Sequence, residues 1–253
     1  MRKLKKHVKF KKRIKTMDKR LLIIIPAYNE QDNIERVVND LRENYPQYDY
    51  VVVNDGSRDR TLEICKENGY NYLNMPINVG LSGGVQAGMM YAHEHGYDYA
   101  IQFDGDGQHD PRYIESMVKK IEEGYDICIG SRFVTEKKPH SLRMLGSNMI
   151  EFIIRLTTGK KIKDPTSGMR MFNKETIKIM AETFDYGPEP DTMAHLIRCG
   201  AKICEVQVEM HERVACESYL NLRRSIKYMT HMFFSIIFIQ WCRRKVKLGG
   251  NKK

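Results

Sequence analysis

The sequence predicts an α/β domain with a mainly parallel sheet flanked by helices. Three observations predict it: short apolar runs alternate with segments of helical periodicity, the intervals suit βαβ units, and each apolar run leads into a polar loop. At 253 residues the chain can bury the core of one large domain, so one site is expected.

Leu21 to Ile25 reads as a buried strand, followed by the loop Pro26-Ala27-Tyr28-Asn29-Glu30. Ile34, Val37, Val38 and Leu41 then recur at helical spacing until Tyr45-Pro46 stops the helix. Tyr50 to Val53 is a second strand running into Asn54-Asp55-Gly56-Ser57, and the helix from about Arg58 to Asn68 ends at Gly69. A strand near Tyr70 to Asn74 precedes Asn78-Val79-Gly80-Leu81-Ser82-Gly83-Gly84 and a helix carrying Val85, Met89, Met90 and Ala92. Tyr97 to Phe103 delivers Asp104-Gly105-Asp106 to its carboxyl end, where open α/β sheets bind ligands. Asp110-Pro111 opens the next helix, and Tyr125 to Ile129 returns as a strand into Gly130-Ser131-Arg132-Phe133. The second half predicts a helix from Leu142 to Thr157, a loop from Asp164 to Arg170, a short helix from Gly187-Pro188-Glu189-Pro190-Asp191 to Cys199, and an alternating strand from Lys202 to Met210.

The net charge of +10 is unevenly spread. Residues 1–20 hold eleven Lys/Arg against Asp18, and residues 217–253 hold nine against Glu217, which leaves residues 21–216 at −8. A body of that sign repels a phosphate backbone and argues against nucleic-acid binding, whereas basic ends suit an anionic membrane surface or simply keep the protein soluble. Three segments follow: a basic extension 1–16, a domain 17–216, and a basic amphipathic helix and tail 217–253. Met17 lies just before the first strand, so a chain starting there is expected to keep full activity. Cysteines at 65, 128, 199, 204, 216 and 242 form no Cys-x-x-Cys pair, which predicts reduced thiols and a cytoplasmic chain. The amino terminus lacks the apolar core of a secretory signal.

Tyr228 to Cys242 contains no Lys, Arg, Asp or Glu, but it is shorter than the roughly 20 residues that cross a bilayer. Arg223, Arg224 and Lys227 precede it, and Arg243, Arg244, Lys245 and Lys247 follow. Two readings fit: an interfacial helix at the cytoplasmic membrane face, or a terminal helix packed on the core.

Asp104 and Asp106 place two hard oxygen ligands on one side of a strand-end turn, which suits Mg²⁺ or Mn²⁺. Such a cation neutralises charge on a leaving diphosphate. Asp55 can accept from a base or ribose, and Arg132 and Arg170 can offer charge-assisted bonds to phosphate or else sit in ion pairs.

Taken in order, Ile25-Pro26-Ala27-Tyr28-Asn29-Glu30, Val53-Asn54-Asp55-Gly56-Ser57, Asn78-Val79-Gly80, Asp104-Gly105-Asp106-Gly107-Gln108-His109, Gly130-Ser131-Arg132 and Asp164-Pro165-Thr166-Ser167-Gly168-Met169-Arg170 resemble glycosyltransferase family 2, between about Leu21 and Leu220. The resemblance is nearest to the small dolichyl- or polyprenyl-phosphate sugar synthases. It implies the GT-A fold, with a Rossmann-like, mainly parallel sheet. It also implies a donor site of Pro26, Tyr28, Glu30, Asp55, Gly80, Asp104, Arg132 and Arg170, and the metal ligands Asp104, Asp106 and Gln108. His109 reads as a loop residue beside that site. Where the lipid-phosphate branch has Arg-x-x-Gly-x-Ser-Lys, this chain has Arg213-Val214-Ala215-Cys216-Glu217-Ser218-Tyr219, so the Gly and the Lys are both replaced. Glu189 and Asp191 lie where sugar-acceptor members place a general base, and a hydroxyl nucleophile needs one.

The expected reaction is therefore inverting transfer from a UDP- or GDP-type sugar to a hydroxyl of a lipid-linked saccharide, as in cell-surface polysaccharide assembly, with Asp191 as first choice of base and Glu189 as second. Polyprenyl phosphate is the alternative acceptor. A nucleotidyltransferase and a non-catalytic membrane-surface scaffold are rivals of other classes. The first lacks the expected Gly-rich, Lys/Arg-bearing loop after strand one, and the second leaves the metal and phosphate ligands without purpose.

Overall fold

The computed structural model describes residues 19–183, 187, 189–211, 222–243, 245, 246 and 248. The basic extension, Pro188 and the stretch from Arg213 to Tyr219 lie outside the described residues.

Seven strands form one sheet: β1 (Leu21–Ala27), β2 (Asp49–Asn54), β3 (Tyr72–Asn74), β4 (Tyr99–Gln102), β5 (Ile127–Ser131), β6 (Arg170–Asn173) and β7 (Ile203–Gln207), in the order β3-β2-β1-β4-β6-β5-β7. β6 runs antiparallel to β4 and β5, and every other pairing is parallel. β1 is central because Leu22 to Ile25 are apolar on both faces and fully buried, which only a strand covered on two sides requires. β6 was missed by the sequence reading, which gave 164–170 to a loop. Four residues, Arg-Met-Phe-Asn, are too few for alternation to show.

The faces of the sheet collect different helices. On one, Ile23, Ile25 and Val52 pack with α1 (Ile34–Asn44) and α4 (Ile114–Glu122). On the other, Leu22, Ile24 and Val53 pack with α3 (Gly80–Glu94), α5 (Leu142–Thr158), α6 (Lys174–Glu182), α7 (Pro190–Arg198) and α8 (Leu222–Phe234). α2 (Thr61–Glu67) is shorter than its expected span, and the predicted Pro at the start of α4 sits in a 3₁₀ turn, Pro111–Tyr113, capped by Asp110 Oδ1 on the Arg112 amide.

α8 continues into a π-helical turn (Ser235–Ile239) and α9 (Gln240–Cys242). This segment packs on the core along one side: Met232, Ser235 and Ile236 are buried against the body, while Phe234, Phe238 and Trp241 are exposed. Among the described residues, no helix is long and apolar enough to cross a membrane.

Candidate active site

The loops after β1 and β2 are stitched together at the carboxyl edge of the sheet. Ser57 Oγ accepts from the Asn29 amide at 3.0 Å, Thr61 Oγ1 from Glu30 at 2.9 Å and Asp59 Oδ2 from Gln31 at 3.1 Å. In return the Arg58 amide donates to Asn29 Oδ1 at 2.9 Å. Asn29 has φ 56°, a conformation Asn tolerates, and this turns the chain from Pro26 and Tyr28 toward α1. Asp55 holds the third loop: its carboxylate accepts from Asn78 Nδ2 at 3.0 Å, from the Val79 amide at 2.7 Å and from the Gly80 amide at 2.9 Å. It thereby satisfies orphan amides at the start of α3, a duty unseen in the sequence, and it brings Gly80 into the same edge.

The Asp104–Asp106 turn follows β4. A Cβ at Gly105 would lie 3.1 Å from the Pro26 carbonyl oxygen and 3.6 Å from Glu30 Cγ, so the turn packs directly on the β1 loop. Asp104 is held from three sides. Gln102 Nε2 donates to its Oδ1 at 3.1 Å, and its amide donates to His109 Nδ1 at 2.9 Å. His109 Nε2 then stands 3.6 Å from Oδ2, and accepting at Nδ1 places the neutral ring's proton on that side. His109 is buried with its ring edge-on to Phe103, so it positions the acid. The third constraint is Gly168, where any Cβ would overlap Asp104 Oδ2. Asp106 is buried, and its Oδ1 accepts the Gln108 amide at 3.0 Å. Gln108 Nε2 reaches the His211 carbonyl oxygen at 3.4 Å, which leaves Oε1 as its acceptor atom.

The donor set fits a hard divalent cation, with the Asp104 side chain 31 % exposed and its carboxylate oriented by neighbours. Among the described residues no group of three or more His, Cys, Asp and Glu side chains could hold a metal, so an amide such as Gln108 or ligand oxygens would complete the shell.

Arg170 is the largest fully buried side chain. Its Nη2 donates to the Pro165 carbonyl oxygen at 2.6 Å, while Nε and Nη1 find no partner among the described residues. Burial pushes its pKa down, opposed first by Glu189 and further by Tyr228, Asp164 and Asp104. The charges of Asp104 on one loop and Glu189 on another both act on it. A buried donor left unmade costs about 1–3 kcal/mol, and an anionic ligand would remove that cost.

Arg132 takes the ion-pair alternative in this structure. Its Nε and Nη2 grip Asp164 at 2.7 and 2.9 Å, and the Asp164 side chain is wholly buried. It clamps the 164–170 loop to the end of β5, since a buried carboxylate needs a charged partner.

The two acids at α7 separate. Asp191, first choice of base from sequence, is buried: Ser235 Oγ donates to its Oδ2 at 2.5 Å and Arg243 Nη2 lies 3.2 Å away. In this structure the first-choice carboxylate is therefore engaged in a buried ion pair. Glu189 lies on the site side, accepting from Tyr228 Oη at 2.7 Å, with Ser82 Oγ 3.5 Å from its other oxygen. Burial first, then the Glu189 charge, pushes the Tyr228 pKa up, so it remains a donor. Tyr228 is the residue beside the site that sequence reasoning missed, whereas His109, read as a loop residue beside the site, is buried against Asp104. His109 was legible as a polar residue three positions beyond Asp106, but Tyr228 lay inside a segment read only for its apolar content.

Residues 22–179 match the family model described as Glycosyl transferase family 2. A UDP-N-acetylglucosamine–dolichyl-phosphate N-acetylglucosaminyltransferase of Methanococcus voltae is 34 % identical over 65 % of this chain and 74 % of its own length. An undecaprenyl-phosphate mannosyltransferase of Micrococcus luteus is 30 % identical over 80 % of this chain and 88 % of its own. Among solved structures, glucosyl-3-phosphoglycerate synthase of Mycobacterium tuberculosis, in complex with Mn²⁺, UDP-glucose and phosphoglyceric acid, superposes with a TM-score of 0.66 at 13 % identity, covering 90 % of this chain and 81 % of that one, a likeness of fold. The chain belongs to glycosyltransferase family 2, in its polyprenyl-phosphate sugar synthase-like branch, and is a GT-A glycosyltransferase that uses a nucleotide sugar.

Proposed function

We propose that the chain transfers a sugar from a nucleotide-diphosphate sugar to a polyprenyl phosphate, with a divalent cation at Asp104, Asp106 and Gln108. The observation that carries the acceptor is the engagement of Asp191 by Arg243 and Ser235, which speaks against its acting as the base. A phosphate monoester is already ionised and needs none, and both relatives named above are named for lipid-phosphate acceptors. Inverting geometry is part of the proposal: the acceptor oxygen attacks from the side opposite the diphosphate.

The loops carrying Pro26, Tyr28, Glu30, Asp55 and Gly80 surround the nucleoside, and Arg170 offers its unpartnered Nε and Nη1 to the diphosphate. The bound cation, Mn²⁺ as in the solved relative or Mg²⁺, would supply charge neutralisation at the leaving group. Asp104 is held in place for it by Gln102, His109 and Gly168, which lowers reorganisation at the moment of reaction. The C-terminal segment faces an anionic membrane at the cytoplasmic side, where the acceptor lipid lies.

Glu189 favours a second reading, transfer to a hydroxyl of a lipid-linked saccharide, because its carboxylate stands between Ser82 of α3 and Tyr228 of α8 and its charge acts on the buried Arg170. Its Oε2 already accepts the Tyr228 hydroxyl, so Oε1 is the atom left to meet an acceptor hydroxyl. The test is transfer of labelled sugar to polyprenyl phosphate and, in parallel, to lipid-linked saccharide. Glu189→Gln should keep lipid-phosphate transfer within several-fold of the parent. Product only on the saccharide, abolished in Glu189→Gln, would establish the second reading.

A further inference from the structure

α5 carries an apolar stripe that faces away from the core. Leu145, Phe152 and Leu156 recur at intervals of seven and four, which puts them on one side of the helix, and they are 66 %, 63 % and 70 % exposed. Ile150, Ile153 and Ile154 on the other side are buried. α5 packs against α8 and the π-helical turn, whose Phe234 and Phe238 are 54 % and 59 % exposed and stack with ring centroids 6.1 Å apart. The helices meet at Gly146, where any Cβ would overlap Met229 Sδ, so a residue without a side chain sets their close approach. Exposed apolar surface of this kind marks an interaction site.

The charge around it selects the occupant. Arg155, Lys160 and Lys161 are exposed on or just beyond α5, as are Lys227 at α8 and Lys245 beyond α9. Glu151, the acid within α5, is mostly buried between Lys138 and Lys161. A second copy docked through the same face would bring two basic rims together, whereas an anionic bilayer complements the rim and takes up the apolar stripe.

We propose that the outer faces of α5 and α8 together form a platform that docks on an anionic lipid bilayer. The platform extends beyond the C-terminal segment, because packing brings α5, remote in sequence, beside it. It also implies coupling to the site. The segment that docks holds Glu189 through Tyr228 and Asp191 through Ser235 and Arg243, so membrane contact bears on the helix that orders the acceptor side.

The test is flotation of the full chain with vesicles of phosphatidylcholine alone and with added phosphatidylglycerol, free of any polyprenyl lipid. Failure of docking is thereby separated from failure of the acceptor assignment, which is assayed in detergent. The parent should float with anionic vesicles. Phe152→Glu with Leu156→Glu should lower the partition by about ten-fold or more at an unchanged thermal midpoint, because the apolar area supplies much of the binding. Arg155→Glu with Lys160→Glu, at exposed positions that leave the core untouched, should also lower it on anionic vesicles. Parent-like flotation of both pairs overturns the proposal. So does a parent that stays unbound, or a lipid-free dimer that the Phe152 and Leu156 substitutions dissociate.

Discussion

Gly168→Ala separates the geometry of the Asp104–Asp106 turn from the stability of the fold. The added Cβ would overlap Asp104 Oδ2 and stand 3.0 Å from Asp104 Cγ and 3.1 Å from Oδ1, inside ordinary contact. Asp104 is a short side chain at the sheet edge and 31 % exposed, so its carboxylate swings aside while the backbone stays. The head group then moves by about 1 Å, and a misplacement of that size can cost about 100-fold in rate, or roughly 2.7 kcal/mol of transition-state stabilisation. The Gln102 and His109 contacts to Asp104 would be strained too, and such supporting contacts typically carry about 10–100-fold in metal affinity. The measurements are kcat/KM across a Mn²⁺ titration and the thermal unfolding midpoint in the absence of metal. A loss of about 100-fold, partly recovered at high Mn²⁺, with a midpoint within a few degrees of the parent is expected. Turnover within three-fold of the parent, at every Mn²⁺ concentration, would refute the placement of Asp104 at the chemistry.

Further outcomes follow from the buried charges. Arg170→Met removes two buried donor atoms that have no partner among the described residues, so the ligand-free protein should unfold no earlier than the parent while UDP or GDP binding by calorimetry weakens by about ten-fold or more; an earlier midpoint with unchanged binding would reverse the assignment. Arg132→Met strands the wholly buried Asp164 carboxylate and should destabilise by about 3–5 kcal/mol in urea unfolding, a loss that a mere phosphate contact would not produce. Asp104→Asn and Asp106→Asn should each lower sugar transfer by at least about 100-fold, and parent-like rates in both would remove the metal site. Tyr97 gives a pH signature: burial, then its bond to Asp49, raises its pKa to about 12. The folded state therefore keeps a proton that the unfolded state loses near pH 10, so stability present at neutral pH declines between about pH 10 and 12. Tyr97→Phe should flatten that decline in thermal melts, and an unaltered profile would assign it to other groups.

Much of the site was legible before the fold was. The apolar run of β1, the helical spacing of α1 and the loops that end β1, β2 and β4 are local patterns, and the parallel βαβ arrangement carries each loop to the same edge. Asp104, Asp106 and Asp55 were legible for that reason. Strand β6 was not, because its four residues become a strand only when β4 and β5 offer hydrogen bonds on both sides. The roles of charged residues were the least legible. Whether Arg132 or Arg170 meets a ligand depends on which one Asp164 captures, and Asp164 lies 32 residues from Arg132. Likewise Asp191 and Glu189, two positions apart on the chain, were distinguished only by what the C-terminal helical segment brings to each: Ser235 of the π-helical turn, with Arg243 beyond it, to one and Tyr228 of α8 to the other. Sequence by itself determined which residues reach the sheet edge, since that is set by strand and loop order. The tertiary structure decided which of them remain free to act, since a buried charge takes the nearest partner that packing provides.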